Sequence, residues 1–146
     1  MPTQIDHLVV AATSLEQGVQ WCEALFGITP ALGGEHGLFG THNRLFKIAT
    51  PKFSMAYFEI IAINPAAVRP KKTTTLHPHR WFDLDNSELQ KSISKEPRLI
   101  HFVASTPDIK AARMALRMEG IDRGPAIHAE RQTSKGLLHW QISVRA

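Results

Sequence analysis

Three ionisable residues lie inside apolar, strand-like runs of the sequence. His7 lies in IDHLVVA, Glu59 in YFEIIAI and His101 in LIHFVAS. Burial of an unpaired carboxylate or imidazolium costs on the order of several kcal/mol, so each side chain needs a partner, a shifted pKa or a metal ion. Three such residues in one short chain predict a shared polar cavity.

The two histidines occupy equivalent positions in an internal repeat. IDHLVVAATSLEQGVQW near the amino terminus and LIHFVASTPDIKAARMA later in the chain each join a β-rich run to a helical pattern. Leu15 follows His7 at the same interval at which Ile109 follows His101. The recurring order and spacing predict two related modules, and the alternative is chance similarity between two amphipathic helices.

Each repeat predicts one helix with its own end signals. In the first repeat Ser14 is the predicted N-cap, and Gly27 ends the helical pattern. In the second repeat Thr106 is the predicted N-cap, with Pro107 at the first helical position and Gly120 at the end. A strand followed by a helix therefore opens each half of the chain.

Strand periodicity separates His7 from its immediate neighbours. Successive side chains of a strand point to opposite faces, so His7 shares a face with Ile5 and Val9, whereas Leu8 and Val10 point the other way. The sequence leaves open whether the histidine faces its helix or the opposite side of the sheet.

The remaining apolar runs predict further strands. These runs are RLFKIA, MAYFEIIAI, GPAIHAERQ and LLHWQISV, with one more short strand near residues 31–34. The polar, proline-bearing stretch between the halves predicts a long connection with room for one helical turn. We therefore predict a single α+β domain over residues 1–146, with module one at about 1–64, the connection at about 65–97 and module two at about 98–146.

Composition narrows the classes of function. The chain has 146 residues and a net charge of +4, but its 17 Lys and Arg are scattered, which argues against nucleic-acid binding. The sequence shows no apolar run of membrane-spanning length and no leader pattern. One cysteine, Cys22, excludes an intramolecular disulfide, and its helical spacing predicts burial. We expect a cytoplasmic protein that binds neither nucleic acid nor membrane.

Several stretches together resemble one family. The strand IDHLVVA, the loop GGEHGLFGTHN, the strand YFEIIAI, the segment RWFDLD and the strand RLIHFVA resemble the glyoxalase-like domain family of the vicinal oxygen chelate superfamily. The resemblance covers nearly the whole chain. It implies two pseudo-symmetric βαβββ modules, each a cupped sheet with a helix on its convex side, that surround a ligand cavity. Relatives isomerise, epimerise, hydrolyse or oxidatively cleave small molecules, and others bind and sequester drugs.

The resemblance implies a metal site formed by His7, Glu59 and His101. Two imidazoles and one carboxylate suit one divalent ion such as Zn, Ni, Mn or Fe and leave positions for water and substrate. Such an ion would polarise a carbonyl, stabilise an enediolate or activate water. The alternative is a set of hydrogen-bonded cavity residues that hold no metal.

The resemblance also implies residues that line the pocket. The Gly-rich loop would supply its rim, and aromatic side chains would cover it: His36, Thr41, Asn43, Tyr57, Phe39, Trp81 and Trp140. The alternative for this loop is a purely structural Ω-like loop. His77 and His79 have spacing compatible with metal capture but are more typical of a loop.

The second module is one strand short of the family pattern. The position equivalent to Glu59 in the second repeat would lie beyond Ala146. The open explanations are a truncated chain, a naturally shortened chain, a compressed module in which His139 or Gln141 takes the role, or a partner chain that completes the sheet. An unpaired strand edge favours association with a second copy, so we expect a homodimer.

Two main classes of function remain open. The first is a divalent-metal-dependent isomerase, lyase, hydrolase or dioxygenase that acts on a small oxygenated metabolite. The second is a non-catalytic small-molecule or drug-binding protein on the same scaffold. A dimeric interaction module without a ligand is a third, and the sequence specifies no substrate.

Overall fold

The fold combines helices with mixed β-sheet. The computed structural model describes residues 2–68 and 79–144. These residues form, in chain order, β1 (Gln4–Ala11), α1 (Leu15–Phe26), β2 (Ala31–His36), β3 (Thr41–Lys47), β4 (Tyr57–Ile63), α2 (Ser87–Lys95), β5 (Arg98–Ser105), α3 (Ile109–Met118), β6 (Ala126–Thr133) and β7 (Gly136–Ser143). The predicted α+β class is confirmed. Within the described ranges, no helix has the length and apolar character needed to cross a membrane.

The chain divides into two compact units. The first, residues 4–104, contains α1, α2 and a five-stranded sheet in the order β2-β3-β4-β1-β5. The second comprises residues 105–146 together with residues 1–3, and it contains α3 and the two-stranded sheet β6-β7. The strand of the second repeat, β5, is therefore hydrogen-bonded to the strand of the first repeat, β1. The assignment of residues 1–146 to a single domain stays a prediction.

Strand register places the candidate site residues of the first unit on one sheet face. β1 runs parallel to β4, with His7 opposite Tyr57 and Val9 opposite Glu59. β3 runs antiparallel to β4, with Asn43 opposite Ile61. Because alternate side chains share a face, His7, Tyr57, Glu59 and Asn43 project from the same side.

Helix α1 covers the other face of this sheet. Val10, Phe58 and Ile60 form a buried cluster with Cys22 of α1, and a Cβ at Gly18 would overlap the Cγ2 atom of Ile60. The glycine therefore permits close approach of helix and sheet. His7 faces away from α1, which answers the question that the sequence left open.

The connection between the halves contains more structure than the sequence indicated. We predicted a long connection with room for one helical turn, whereas α2 has 9 residues. Asn86 caps it by accepting hydrogen bonds from two backbone N–H groups of the first turn. The buried Ile93 accepts hydrogen bonds at its carbonyl from Thr13 and Gln17, which tie α2 to the start of α1.

Two helix caps test the predicted boundaries. Ser14 caps α1 as predicted, because its side chain accepts from the backbone N–H of Gln17. The prediction of Thr106 for α3 was wrong: Asp108 is the cap and accepts from the N–H of Ala111. The Asp108 carboxylate is the stronger acceptor for the amides of the first turn. After α3 the described residues form two strands, whereas three follow α1.

Candidate functional site

The centre of the candidate site is a buried carboxylate. Glu59 lies in the middle of β4 and is only 3% exposed. The Nδ2 atom of Asn43 donates to its Oε2 atom over 2.8 Å, from the neighbouring strand β3. An amide donor of this kind compensates part of the desolvation cost of the carboxylate.

A backbone contact fixes the orientation of the Asn43 amide. The N–H of Gly34 donates to Oδ1 of Asn43 over 2.8 Å, at a point where the register between β2 and β3 is irregular. A Cβ at Gly33 would overlap the Asn43 side chain, so only glycine allows this approach. With Oδ1 facing Gly34, the Nδ2 atom must face Glu59.

A chain of hydrogen bonds extends from Asn43 to Trp81. The Nε1–H of Trp81 donates to Oγ1 of Thr41 over 3.1 Å, and Nδ1 of His36 lies 3.0 Å from the same oxygen. The Nε2 atom of His36 lies 3.5 Å from Nδ2 of Asn43. Because that amide nitrogen can only donate, Nε2 of His36 is the acceptor in this contact. We call Trp81, Thr41, His36, Asn43 and Glu59 the Glu59 network.

Aromatic rings hold the outer end of the Glu59 network. Trp81 is 6% exposed and stacks on Phe39 with ring centroids 4.1 Å apart. Phe82 stacks against Trp81 at 5.0 Å. A cavity of roughly 230 Å³ adjoins this region, and its lining includes Glu35, His36, Thr41 and Asn64. The predicted pocket residues His36, Thr41, Asn43 and Trp81 thus lie together in the first unit.

His7 is held by two neighbours. Its Nδ1 atom lies 2.6 Å from a carboxylate oxygen of Asp6, and its ring stacks on Tyr57 at 4.3 Å. Asp6 engages Nδ1, so Nε2 is the ring nitrogen of His7 on the side away from this contact. Asp6 was not predicted as a site residue, although it directly precedes His7 in the sequence.

His101 has a different environment on β5. Its ring centroid lies 5.4 Å from that of Phe82, and its Nε2 atom lies 3.7 Å from Oδ2 of Asp83. Phe82 and Asp83 both have positive φ angles, 57° and 58°. Neither residue's role at His101 was predicted from the sequence.

The structure does not gather His7, Glu59 and His101 into one metal-binding group. Among residues 2–68 and 79–144, no three His, Cys, Asp or Glu side chains form a group that could hold a metal ion. His7, Glu59 and His101 carry donor types that suit a divalent ion, but in this structure they do not form one metal-binding group. Asp83 faces the Nε2 atom of His101.

The other predicted residues lie elsewhere. Trp140 is on β7 in the second unit, opposite Ala129, and its pocket role stays a prediction. Nδ1 of His139 lies 3.6 Å from a carboxylate oxygen of Glu130 on the neighbouring strand. His77 lies outside the described residues.

Two groups of the first unit have shifted pKa values. Burial lowers the pKa of His42 below its ordinary value, and the negative charge of Glu35 opposes the shift. Burial raises the pKa of the Cys22 thiol, and the charge of Glu23 adds to the effect. Cys22 is therefore a core residue with little thiolate character, as the sequence predicted.

The first unit contains β1, α1, β2, β3 and β4 in the order strand, helix and three strands, with polar side chains on the face opposite the helix, and this is the module order of the vicinal oxygen chelate fold. The family model described as "Glyoxalase-like domain" matches residues 5–146. The chain belongs to this family, and the resemblance inferred from the sequence is confirmed.

Solved structures show the same fold. A hypothetical protein from Staphylococcus aureus superposes with a TM-score of 0.66 at 23% identity, over 97% of this chain and 51% of that chain. This chain thus spans about half the length of that protein. A variant of Streptomyces coelicolor methylmalonyl-CoA epimerase, in complex with 2-nitronate-propionyl-CoA, superposes with a TM-score of 0.55 at 18% identity, over 97% and 86%. A methylmalonyl-CoA epimerase in complex with methylmalonyl-CoA and NH4+ gives 0.55 at 19% identity, over 93% and 81%. No curated protein matches the sequence significantly.

Proposed function

We propose that this chain is a divalent-metal-dependent enzyme that acts on a small oxygenated metabolite at the Glu59 face of the five-stranded sheet. The proposed ligands are His7, Glu59 and His101. The reaction would be of the isomerase, lyase, hydrolase or dioxygenase type. Methylmalonyl-CoA epimerases that share this fold bind CoA esters, and this likeness in fold supports the choice of a small-molecule substrate.

The observation that carries this proposal is the buried Glu59 carboxylate on the face that also bears His7. A protein that needed only a stable core would gain more from an apolar side chain at this position, because burial of a carboxylate is costly. The Asn43 donor and the Gly34 contact hold the carboxylate in one orientation. Such orientation is what a ligating or proton-accepting carboxylate requires.

The residues of this face would have different roles in the proposed reaction. A bound divalent ion would supply Lewis acidity, which polarises a carbonyl or lowers the pKa of water. Glu59 is oriented by Asn43, and the His7 ring is fixed between Asp6 and Tyr57. Trp81 shields the Glu59 network from water at its outer end. The adjoining cavity offers polar groups to a substrate at its Glu35 and Asn64 side.

Thermal unfolding in the presence of metal ions tests this proposal. A ligand that binds only the folded state stabilises it, by about 2.7 kcal/mol at a hundredfold excess over Kd. Zn, Ni, Mn or Fe(II) should raise the Tm of the native chain and of a His128→Ala control, whose histidine is exposed on β6. The same ions should leave the Tm of a His7→Ala, His101→Ala double variant unchanged. Equal responses in all three proteins would contradict the proposal.

Non-catalytic small-molecule binding is the second candidate. The observation that favours it is the aromatic stack of Phe39, Trp81 and Phe82, whose central member is hydrogen-bonded to Thr41. Rings of this kind bind flat apolar ligands. Ligand binding at equal affinity with and without chelator would favour this candidate over the metalloenzyme.

We also propose that the protein is a homodimer, associating through β5. β5 ends the strand order of the five-stranded sheet, and its Leu99 and Phe102 side chains are 63% and 64% exposed. An edge strand with exposed apolar side chains favours association with a second copy. Sedimentation at micromolar concentration should give twice the mass of the chain, and a Phe102→Lys variant should sediment as a monomer.

A further inference from the structure

The indole ring of Trp81 fills a slot formed by the hairpin of β2 and β3. Phe39 stacks on the indole with ring centroids 4.1 Å apart and an interplanar angle of 11°. The ring of His36 lies edge-on to it at 4.7 Å and 70°, and Oγ1 of Thr41 accepts from its Nε1–H over 3.1 Å. A stacking face, an edge contact and one acceptor suit a planar ring that carries an N–H donor.

The slot adjoins the cavity of the first unit. His36 and Thr41 line both the slot and the cavity of roughly 230 Å³. Phe39 and Thr41 are both buried beneath the indole. Withdrawal of the indole would therefore join the slot to the cavity and present the Phe39 ring and the Thr41 oxygen to a ligand.

The backbone directly after Trp81 is strained. Phe82 and Asp83 have φ angles of 57° and 58°, in the left-handed region that bulky L residues rarely adopt. Two consecutive residues in this region store strain that neighbouring contacts must offset. Because the strain belongs to the state in which Trp81 fills the slot, it favours withdrawal of the indole.

The residue beyond the strained pair is anchored. Leu84 is fully buried, and its carbonyl accepts from Nε2 of Gln90 over 2.7 Å. The N–H of Leu84 donates to the carbonyl of Trp81 over 3.2 Å, and the ion pair of Arg80 with Asp85 closes the same turn. The strained pair thus lies between the side chain in the slot and an anchored residue, which is where a hinge would lie.

We propose that Trp81 is an internal ligand of this slot, and that a small planar heteroaromatic molecule with an N–H donor binds in its place. The molecule would stack on Phe39 and donate to Thr41, while rotation at Phe82 and Asp83 withdraws the indole. Trp81 is then autoinhibitory, because the ligand binds only the fraction of molecules in which the slot is open. The inference is independent of the proposed metal site, since none of its steps involves an ion.

Fluorine NMR of the full chain labelled with fluorotryptophan tests the exchange, with indole as the probe. The chain has three tryptophans, and a Trp81→Phe variant assigns the Trp81 resonance. Saturating indole should move this resonance toward that of solvent-exposed fluorotryptophan and leave those of Trp21 and Trp140 in place. Binding of indole without a shift at Trp81, or no binding at millimolar indole, would overturn the proposal.

N-Methylindole tests the need for the N–H donor, because it keeps the ring and lacks the donor. Indole should bind the native chain roughly two- to tenfold more tightly than N-methylindole, as expected for one net hydrogen bond. Thr41→Val removes the acceptor and should make the two affinities equal. Equal affinities in the native chain, or an unchanged ratio in Thr41→Val, would contradict recognition by Thr41.

A vacant slot tests the autoinhibition. Trp81→Ala should bind indole roughly tenfold more tightly than the native chain, because the probe no longer competes with a stacked and hydrogen-bonded side chain. Trp21→Ala is the matched control: it opens an aromatic site beside Phe26 and Phe58 but leaves Trp81 in its slot. The control should bind indole as the native chain does. No gain for Trp81→Ala, or an equal gain for Trp21→Ala, would overturn the proposal, and if Trp81→Ala does not fold, the fluorine spectrum of the native chain decides.

Discussion

Asn43 and Glu59 are joined side chain to side chain across β3 and β4, with 2.8 Å between the donor nitrogen and the acceptor oxygen. Both side chains are buried. The hydrogen bond from Asn43 offsets part of the cost of burying the Glu59 carboxylate and holds it in one orientation. The backbone N–H of Gly34 donates to Oδ1 of Asn43, so the Nδ2 end of the amide faces Glu59.

Replacement of Asn43 by alanine should destabilise the fold. The substitution removes the donor to Glu59 and leaves the N–H of Gly34 without its side-chain acceptor. We expect a loss of about 1–3 kcal/mol in the free energy of unfolding, measured by urea denaturation. A loss below about 0.5 kcal/mol would mean that water replaces the amide without cost.

Asn43→Asp provides a sharper test of the same contact. The new carboxylate would face Glu59 at hydrogen-bond distance, and like charges so close raise the pKa of the pair. The variant should therefore be less stable than the native chain at pH 8 and recover part of the difference at pH 5. The same deficit at both pH values would contradict the close approach of the residue 43 side chain to Glu59.

The sequence predicted the elements well because their periodicities are local. Alternation in IDHLVVA separated His7 from Leu8 and Val10, and the buried cluster under α1 follows that alternation. Helix α2 was underestimated because it is mostly polar and buries only Ile93. The Glu59 network joins residues as far apart as Thr41 and Trp81, so local spacing could not reveal it.

The bulge in β2 marks a second limit of sequence reasoning. The Gly pair in GGEHGLFGTHN did not reveal its contact partner, which is the Asn43 side chain. Most of that predicted loop is the hairpin formed by β2 and β3. Bulges depend on pairing between strands, and strand pairing is not encoded in the hydrophobic pattern of either strand alone.

Gly18→Ala should destabilise the first unit. The added methyl group would overlap Ile60 at the contact between α1 and β4, and overpacking of this kind costs about 1–3 kcal/mol. Gly37→Ala is the matched control because nothing lies within 4 Å of its added Cβ. Urea unfolding should show a loss for Gly18→Ala and little change for Gly37→Ala, and equal effects would refute close packing at Gly18.

Trp81→Phe should retain the stack on Phe39 and lose the donation to Thr41. We expect a loss of about 0.5–1.5 kcal/mol, the net contribution of one hydrogen bond. Unfolding should be monitored by circular dichroism, because the substitution removes a tryptophan and so changes the fluorescence signal. Trp140→Phe on β7 is the control and should lower the free energy of unfolding by less. A larger loss for this control would argue against the anchoring role of Trp81.

His42 should make stability depend on pH. Its pKa is lowered in the folded state, so below the ordinary value of 6.5 the unfolded chain takes up a proton that the folded chain resists. The free energy of unfolding should consequently fall as pH drops below about 6.5. His42→Gln should flatten this slope, whereas the exposed His128→Gln control should keep it. Identical slopes in the native chain and His42→Gln would contradict the effect of burial.

The proposed function requires a divalent metal site that includes Glu59. Elemental analysis of the purified native chain beside a Glu59→Gln variant tests this site, because the variant keeps the size of the side chain and an acceptor for Asn43 but removes the charge. We expect about one transition-metal ion per chain in the native protein and little in the variant. A native chain without metal, or equal metal content in both proteins, would contradict it.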